Sequence, residues 1–230
     1  MTHARERRAI LQAARRLERA GLVHGTSGNV SLRVRGGFLV TPTGIAPDAI
    51  AAEDIVLCDG DGTPAPRQRV PSSEWRIHRD LYAARADAGA VVHTHSPYAT
   101  AIAAMRRAIP AVHYMVAAAG GEDIRCAEYA TFGTAELSAS ALRALVERRG
   151  CLLANHGVVA LAENLEAAMR VALEIECVAQ VYWLTLAAGE PCILERGEMA
   201  RVVERFRGYG QTSPAAKRAR GTGNQRGRKR

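Results

Sequence analysis

Paired cysteines, long apolar runs and nucleotide-binding motifs are all missing from this chain of 230 residues. No uninterrupted apolar run approaches the roughly 18 residues of a membrane span, and the charged, amphipathic start lacks the apolar centre of an export signal. No P-loop and no GxGxxG sequence occurs. Because no CxxC pair is present, the cysteines indicate neither a disulfide framework nor a thiolate zinc site. We therefore expect a cytoplasmic protein with no membrane segment.

The excess of positive charge is confined to the C-terminal end. The chain has 31 Lys and Arg against 23 Asp and Glu, a formal net charge of +8. Residues 212–230 hold seven of those basic residues and no acidic one, so residues 1–211 carry 24 against 23. The tail lacks the apolar periodicity of a packed segment, and we expect it to be disordered. No base-stacking surface is evident, so nucleic acid is expected only through non-specific contacts of this tail, which otherwise acts as a solubilising extension.

Helical and strand-like periods alternate through the rest of the chain without an internal repeat. Hydrophobic residues make up 48% of the sequence and charged residues 23%, the ordinary mixture of a globular protein with a packed core. Short strands punctuated by glycine turns are interleaved with amphipathic helices. We therefore predict one α/β domain over residues 1–211, with three α/β/α layers and a central mixed, largely antiparallel sheet. Two predicted elements lie near polar motifs: a helix over 71–85 and a strand over 109–115.

Three of the seven histidines occur in strand-like segments. His93 and His95 in AVVHTH are two residues apart, so on a strand both imidazoles face the same side. His156 ends another apolar segment, LLANHG. If the two strands are neighbours, the three rings can bind one metal ion and leave a position open for water or substrate. The alternative is that these histidines only make hydrogen bonds in the core.

Three polar loops offer hydroxyl groups and backbone N–H groups that suit an anion. A pair of serines lies at the start of the helix predicted over 71–85, where either could be the cap and where the positive end of the helix dipole attracts phosphate. Glycines in the other two loops allow close approach of the backbone. Ordinary capping and turn formation are the alternatives for all of them. Glu74, in the first turn of the helix, is a candidate metal ligand or general base, or simply complements the dipole. The loop residues are Gly28, Asn29, Thr43, Gly44, Ser72 and Ser73.

Six separated blocks carry a family resemblance. They are GLVHGTSGNVSLR, LVTPTGI, PSSEWRIH, AVVHTHSPYATAIA, the stretch from Ile109 to Leu137, and LLANHGVVALAENLEAA. In order and spacing they resemble the zinc-dependent class II aldolases of the L-fuculose-1-phosphate aldolase type, over residues 5–211. The resemblance implies one Zn²⁺ per subunit, bound by His93, His95 and His156. Glu74 is then implied as the fourth ligand in the resting state and as the acid/base once substrate displaces it.

The resemblance also implies the reaction and the partners. A ketose 1-phosphate such as L-fuculose 1-phosphate would be cleaved into dihydroxyacetone phosphate and a small aldehyde, either L-lactaldehyde or acetaldehyde. Phosphate would be held by the six loop residues, and Phe132 would shape the aldehyde pocket. The family is a homotetramer with active sites at subunit interfaces, so Tyr114 would act on the C4 hydroxyl proton from a neighbouring subunit. Tyr209 matches a second, C-terminal tyrosine. His78 matches no ligand position and is expected either to be structural or to lie directly behind the ligands.

Other activities on the same scaffold stay open. Members with the same metal and phosphate groups act on L-rhamnulose, 5-deoxyribulose or methylthioribulose phosphates, and other branches epimerise, dehydrate or decarboxylate. A non-catalytic interaction module of the adducin-like branch is a further alternative. Retention of all four implied metal ligands in this sequence weighs against it.

Overall fold

The computed structural model describes residues 2–206, which form six α-helices, two short 3-10 helices and seven strands. The predicted tail over residues 212–230 and the predicted domain end at residue 211 lie outside the described residues. The strands are β1 (Asn29–Val34), β2 (Gly37–Val40), β3 (Val56–Asp59), β4 (Ala90–Thr94), β5 (Cys126–Ala127), β6 (Gly150–Leu153) and β7 (Gly157–Ala162). The helices are α1 (Ala4–Arg19), α2 (Trp75–Ala84), α3 (Pro97–Ala104), α4 (Ala135–Ala144), α5 (Leu165–Ala188) and α6 (Arg196–Phe206).

The seven strands form a single sheet in the order β3-β2-β1-β4-β7-β6-β5. Neighbouring strands are antiparallel, except that β5 and β6 run parallel. Tight turns explain the antiparallel pairs β1–β2 and β6–β7, since each joins strands that are consecutive in the chain. Strand β4 reaches the centre of the sheet between β1 and β7, although neither is its sequence neighbour.

Helices cover both faces of this sheet because successive strand residues point to opposite faces. In β4, Ala90 and Val92 pack in a core with α1, α3 and α5, whereas Val91 packs in a second core with α2 and α4. Strand β7 alternates in the same way, with Val158 in the first core and Val159 in the second. The predicted three-layer α/β/α architecture with a mixed, largely antiparallel sheet is thereby confirmed.

The segment predicted as a strand over residues 109–115 has another structure. Ile109 makes one isolated bridge with Ile124, and Tyr114–Ala119 forms a 3-10 helix. Pro110 has no N–H to donate to a strand ladder, and its carbonyl oxygen accepts from Val112 N at 2.7 Å, which tightens the chain. The strand prediction was wrong because the missing donor of Pro110 and the tight turn after it outweigh the apolar alternation.

The helix predicted over 71–85 begins later than expected. Helix α2 starts at Trp75 with Glu74 at its N-cap, rather than with a serine cap. Ser72 instead lies in the preceding turn, where its N–H donates to Thr41 O at 3.0 Å and its Oγ accepts from Glu74 N at 3.3 Å. The turn thereby ties the start of α2 to the end of β2 and fixes the backbone of Glu74.

Helix α5 is long enough and apolar enough, with a mean hydropathy of 1.4, to cross a membrane. A search of the sequence for uninterrupted apolar runs does not detect this helix. One face of it packs against the sheet in the larger core. Its Glu176 carboxylate accepts hydrogen bonds from Tyr98 N and Ala99 N, both at 2.9 Å, at the start of α3. A helix buried on one face and carrying a carboxylate that caps another helix is the core helix of a globular domain.

Candidate active site

Four side chains meet at one end of the three central strands. His93 lies in β4, where it pairs with Asn29 of β1 on one side and Val159 of β7 on the other. His95 directly follows β4, and Glu74 directly precedes α2. His156 lies in the three-residue connection between β6 and β7. The neighbouring position of β4 and β7 therefore brings two separated histidine motifs together.

The potential ligand atoms of these four residues all lie within 4.8 Å of one another. The Nε2 atoms of His93 and His95 are 2.9 Å apart. Glu74 Oε2 lies 3.1 Å from His93 Nε2, and Glu74 Oε1 lies 3.1 Å from His156 Nε2. Each pair of the three imidazole rings is close to perpendicular, with centroids 4.8 or 4.9 Å apart. The rings thus present their nitrogens to a common point rather than stacking.

The hydrogen bond on the far side of His93 decides which nitrogen faces the cluster. His93 Nδ1 lies 2.8 Å from Val158 O and donates to it, because a carbonyl oxygen can only accept. In a neutral ring the Nε2 atom then carries a lone pair, which is directed at the Glu74 carboxylate and at His95. Two facing acceptors repel unless a cation lies between them. The geometry therefore suits either a proton or a metal ion.

Charges in the cluster shift its proton affinities in opposite directions. Burial alone would favour the neutral acid, but the adjacent His93 and His156 rings hold the pKa of Glu74 far below its usual range. Against the effect of burial, the Glu74 carboxylate raises the pKa of His93. Burial and the other two rings lower the pKa of His95 to about 4. Near neutral pH the cluster therefore offers an ionised carboxylate and a neutral imidazole, the protonation states that metal binding requires.

These residues fit a divalent metal ion. Glu74 Oε1 is buried and, although His156 Nε2 lies 3.1 Å away, has no donor in hydrogen-bond geometry. This arrangement costs free energy unless a cation satisfies the oxygen. The orienting hydrogen bond from His93 Nδ1 to a backbone carbonyl is the arrangement that metal-binding histidines commonly have. Glu74, His93, His95 and His156 could accordingly hold one metal ion.

A cleft of about 290 Å³ opens beside the four residues. Glu74, His95 and His156 form one part of its wall. All seven residues that the sequence analysis assigned to substrate also line it: Gly28, Asn29, Thr43, Gly44, Ser72, Ser73 and Phe132. The three polar loops, which are far apart in the chain, therefore reach a single cleft.

Glycine is required at two points where backbone closely approaches the site. Gly28 has φ 75°, and a Cβ there would lie 2.9 Å from His93 O and overlap Val23. A Cβ on Gly157 would overlap Thr94 O and lie 3.1 Å from the His95 ring. Since L side chains rarely adopt positive φ, Gly28 is constrained by conformation as well as by space.

One expected catalytic residue, Tyr114, does not line this cleft. Tyr114 is 50% exposed at the start of the 3-10 helix and lines a separate groove that α6 also borders. The expected role of Tyr114 is therefore not met within its own subunit's cleft. Tyr209, the other expected residue, lies outside the described residues.

The cleft also contains residues that the sequence analysis gave no role. Tyr129, 54% exposed, lies on the rim with Phe132. Its position in the polar CAEYATFG segment is the sequence feature that could have identified it. Asn155 adopts φ 53° immediately before His156, and its Oδ1 accepts from Arg106 Nε at 2.8 Å. Asparagine tolerates this left-handed conformation, so the ANHG sequence predicts a turn but not the contact with Arg106. Thr26 and Ser27 complete the lining on the glycine-rich loop.

Fold and site together define the class of protein: an α/β/α domain with a candidate His₃Glu metal centre beside a polar cleft. The family described as "Class II Aldolase and Adducin N-terminal domain" matches residues 8–183. The chain belongs to this class II aldolase family.

Two curated relatives match almost the whole chain. The 5-methylthioribulose-1-phosphate/5-deoxyribulose-1-phosphate aldolase of Rhodospirillum rubrum is 50% identical over 208 residues, which cover 90% of this chain and 93% of that protein. The L-fuculose phosphate aldolase of Escherichia coli K12 is 47% identical over 204 residues, which cover 88% and 94%. A solved structure of L-fuculose 1-phosphate aldolase superposes with a TM-score of 0.87 at 40% identity, covering 90% of this chain and 98% of that one. These similarities support lyase activity.

Proposed function

We propose that this chain is a zinc-dependent aldolase that reversibly cleaves a (deoxy)ketose 1-phosphate into dihydroxyacetone phosphate and a small aldehyde. The observation that carries the proposal is the convergence of Glu74 and three histidine nitrogens at the wall of a cleft bordered by three polar loops. Three imidazoles and a carboxylate are a ligand set that suits catalytic Zn²⁺. We place the enzyme in the cytoplasm and assign one Zn²⁺ to each subunit.

The polar loops would hold the phosphate group of the substrate. Ser73 and Thr43 are both exposed and line the cleft, so their hydroxyls can donate to phosphate oxygens. Gly28 and Gly44 have positive φ, which opens the backbone of two loops toward a bound anion. Ser72 is 5% exposed, and its Oγ accepts from Glu74 N. Ser72 thereby links the phosphate loop to the catalytic carboxylate.

Glu74 would transfer the proton at carbon. When bound, zinc would supply Lewis-acid stabilisation of the negative charge that develops on the substrate's carbonyl oxygen. As the C3–C4 bond breaks, its electron pair stays on C3. Glu74, protonated once substrate has displaced it as a ligand, would deliver its proton to that carbon. In the synthetic direction the same carboxylate removes that proton. Glu74 is only 6% exposed, so bulk water is kept from the carboxylate during the transfer.

The second proton belongs to the C4 hydroxyl, which must lose it as the aldehyde forms. We assign this proton to Tyr114 of the partner subunit, with Tyr209 as a second C-terminal contributor. The exposure of Tyr114 outside its own cleft supports an arrangement in which it completes a neighbouring site. Exposed Trp183 and Leu184 on α5 offer apolar surface for a homotetramer.

The aldehyde half decides among the substrates. The relatives described above are named for L-fuculose phosphate, 5-deoxyribulose 1-phosphate and 5-methylthioribulose 1-phosphate. These differ in the part that becomes the aldehyde, whereas all would release dihydroxyacetone phosphate. Phe132 and Tyr129 on the rim would contact that part. We propose L-fuculose 1-phosphate as substrate, with the two ribulose phosphates as the alternatives.

A coupled assay for dihydroxyacetone phosphate tests reaction and site together. The three sugar phosphates are offered to metal-loaded protein, chelated protein and a Glu74→Gln variant, with Glu190→Gln, an exposed glutamate, as the control. We expect release that needs both the metal and Glu74 and that survives in Glu190→Gln. Metal-loaded protein that releases no dihydroxyacetone phosphate from any of the three would overturn the proposal in favour of an epimerase, dehydratase or decarboxylase.

A further inference from the structure

A buried row of polar side chains lies behind Glu74. Asn29 Nδ2 donates to Glu74 Oε2 at 3.0 Å, and the other atom of the same amide, Oδ1, contacts His78 Nε2. His78 Nδ1 lies 2.6 Å from Ser31 Oγ, which in turn lies 2.6 Å from the hydroxyl of Tyr82. None of the five residues is more than 7% exposed. We call Asn29, His78, Ser31 and Tyr82 the His78 chain.

The chemistry of the atoms fixes the direction of every hydrogen bond. A carboxylate only accepts, so the NH₂ group of Asn29 must face Glu74 and the amide oxygen must face His78. That oxygen also only accepts, so His78 Nε2 carries the proton. Burial and the nearby His93 lower the pKa of His78 to about 3, so the ring is neutral at pH 7 and its Nδ1 accepts from Ser31. Tyr82 then donates to Ser31, and every member has one assigned role.

We propose that His78 is a positioning residue for Glu74, acting through the Asn29 amide. With its oxygen held by His78, the amide cannot flip, and its NH₂ group always faces Glu74 Oε2. Oε2 is thereby held in place, and the carboxylate keeps one orientation at the wall of the cleft. The catalytic part of this inference rests on the proposed function, whereas the hydrogen-bond directions do not.

Two amide substitutions form a matched test at His78. In His78→Gln, the side-chain NH₂ reaches the position of imidazole Nε2 and can still donate to Asn29. In His78→Asn, the shorter amide reaches only the position of Nδ1. We expect kcat to fall about 10- to 100-fold in His78→Asn, the usual cost of losing a hydrogen-bond partner of a ligand. His78→Gln should recover to within about threefold of the native kcat. KM for the sugar phosphate should change much less than kcat in both variants, because the loop residue that His78 contacts, Asn29, has its amide bound to Glu74 and His78.

Metal content and urea unfolding of both variants accompany the kinetics, so that a folding defect is recognised. If His78→Asn is too unstable, Tyr82→Phe is measured instead. This change removes the hydroxyl that donates to Ser31 at the far end of the His78 chain. It should lower kcat by a smaller factor and leave KM unchanged. Equal kcat values for His78→Gln and His78→Asn in folded, metal-loaded protein would overturn the positioning role. A loss confined to KM would overturn it as well.

A spectrum of the metal-free protein tests the hydrogen bonds without any turnover. In ¹⁵N-histidine NMR spectra at pH 7, the signal missing from His78→Gln identifies His78. We expect a neutral ring protonated on Nε2, with an unprotonated Nδ1. A ring protonated on Nδ1, or on both nitrogens, would overturn the inference. If native protein released no dihydroxyacetone phosphate, the proposed function would fail while this spectrum still decided the geometry.

Discussion

The two ends of the cleft differ in burial and in the way they are constructed. At the metal end, Glu74 and His93 are 6% and 1% exposed and are fixed by strands, a turn and hydrogen bonds to buried partners. At the rim, Tyr129 and Phe132 are 54% and 66% exposed. Under the proposed function, the buried end holds the groups for proton transfer in a fixed geometry, whereas the exposed rim contacts the aldehyde half of the substrate. A change of sugar phosphate would then need changes at the rim only.

Removing a metal ligand should have the largest effect and be confined to the buried end. His93→Ala should lose both bound metal and activity, by more than the roughly 10- to 100-fold that follows loss of a ligand's hydrogen-bond partner. Metal analysis and the dihydroxyacetone phosphate assay measure the two losses. His24→Ala is the matched control, because His24 is exposed and does not line the cleft. Full activity in His93→Ala would refute the metal centre.

A change in the phosphate loops should alter binding rather than chemistry. Ser73→Ala removes one hydroxyl that we assign to a charged phosphate oxygen, an interaction of about 1.5–3 kcal/mol. KM for the sugar phosphate should therefore rise by about 10-fold or more, with kcat unchanged and metal content intact. Steady-state kinetics and competition by inorganic phosphate provide the measurement. An unchanged KM would remove Ser73 from the phosphate site.

A change at the rim should alter the choice of aldehyde and leave the buried end intact. Phe132→Ala should shift the ratio of kcat/KM between L-fuculose 1-phosphate and 5-methylthioribulose 1-phosphate by about fivefold, since a partly exposed apolar contact contributes about 1 kcal/mol to selectivity. Bound metal should equal that of the native protein. If the ratio stays constant while both rates fall together, Phe132 supports the general structure of the cleft and not its selectivity.

Acid should destabilise the buried end through His78. Burial lowers the folded pKa of His78 to about 3, below the value of about 6.5 in an unfolded chain. Its contribution to stability is therefore complete above pH 6.5 and is lost as the pH falls from 6.5 toward 3. Between pH 7 and pH 5 the metal-free native protein should lose about 2 kcal/mol more unfolding free energy than metal-free His78→Gln. Urea unfolding at both pH values measures it, and identical losses would contradict a buried neutral ring.

Sequence patterns anticipated the layers of the fold and the common side of His93 and His95, because both follow from local spacing. The full set of four, with His156 and Glu74, came from the family resemblance. The HxH pair must share a face of a strand, and PSSEW must lie near a helix start. The strand prediction over 109–115 was wrong because the backbone hydrogen bonds around Pro110 outweighed the apolar alternation. The α2 start moved to Trp75 because Ser72 bonds to Thr41, 31 positions earlier in the chain, and no local pattern contains that contact.

The sequence by itself determined the alternation of helices and strands outside residues 109–115, the polar loops and, through the family resemblance, the candidate ligands. The tertiary structure alone decided that the Asn29 amide faces Glu74 and His78, and that Tyr114 lies outside its own cleft. Asn29 and Glu74 are 45 positions apart and meet only because α2 packs beside β1. Donor and acceptor directions follow from which partners are buried together, and burial is a property of the packed layers rather than of any short stretch of sequence.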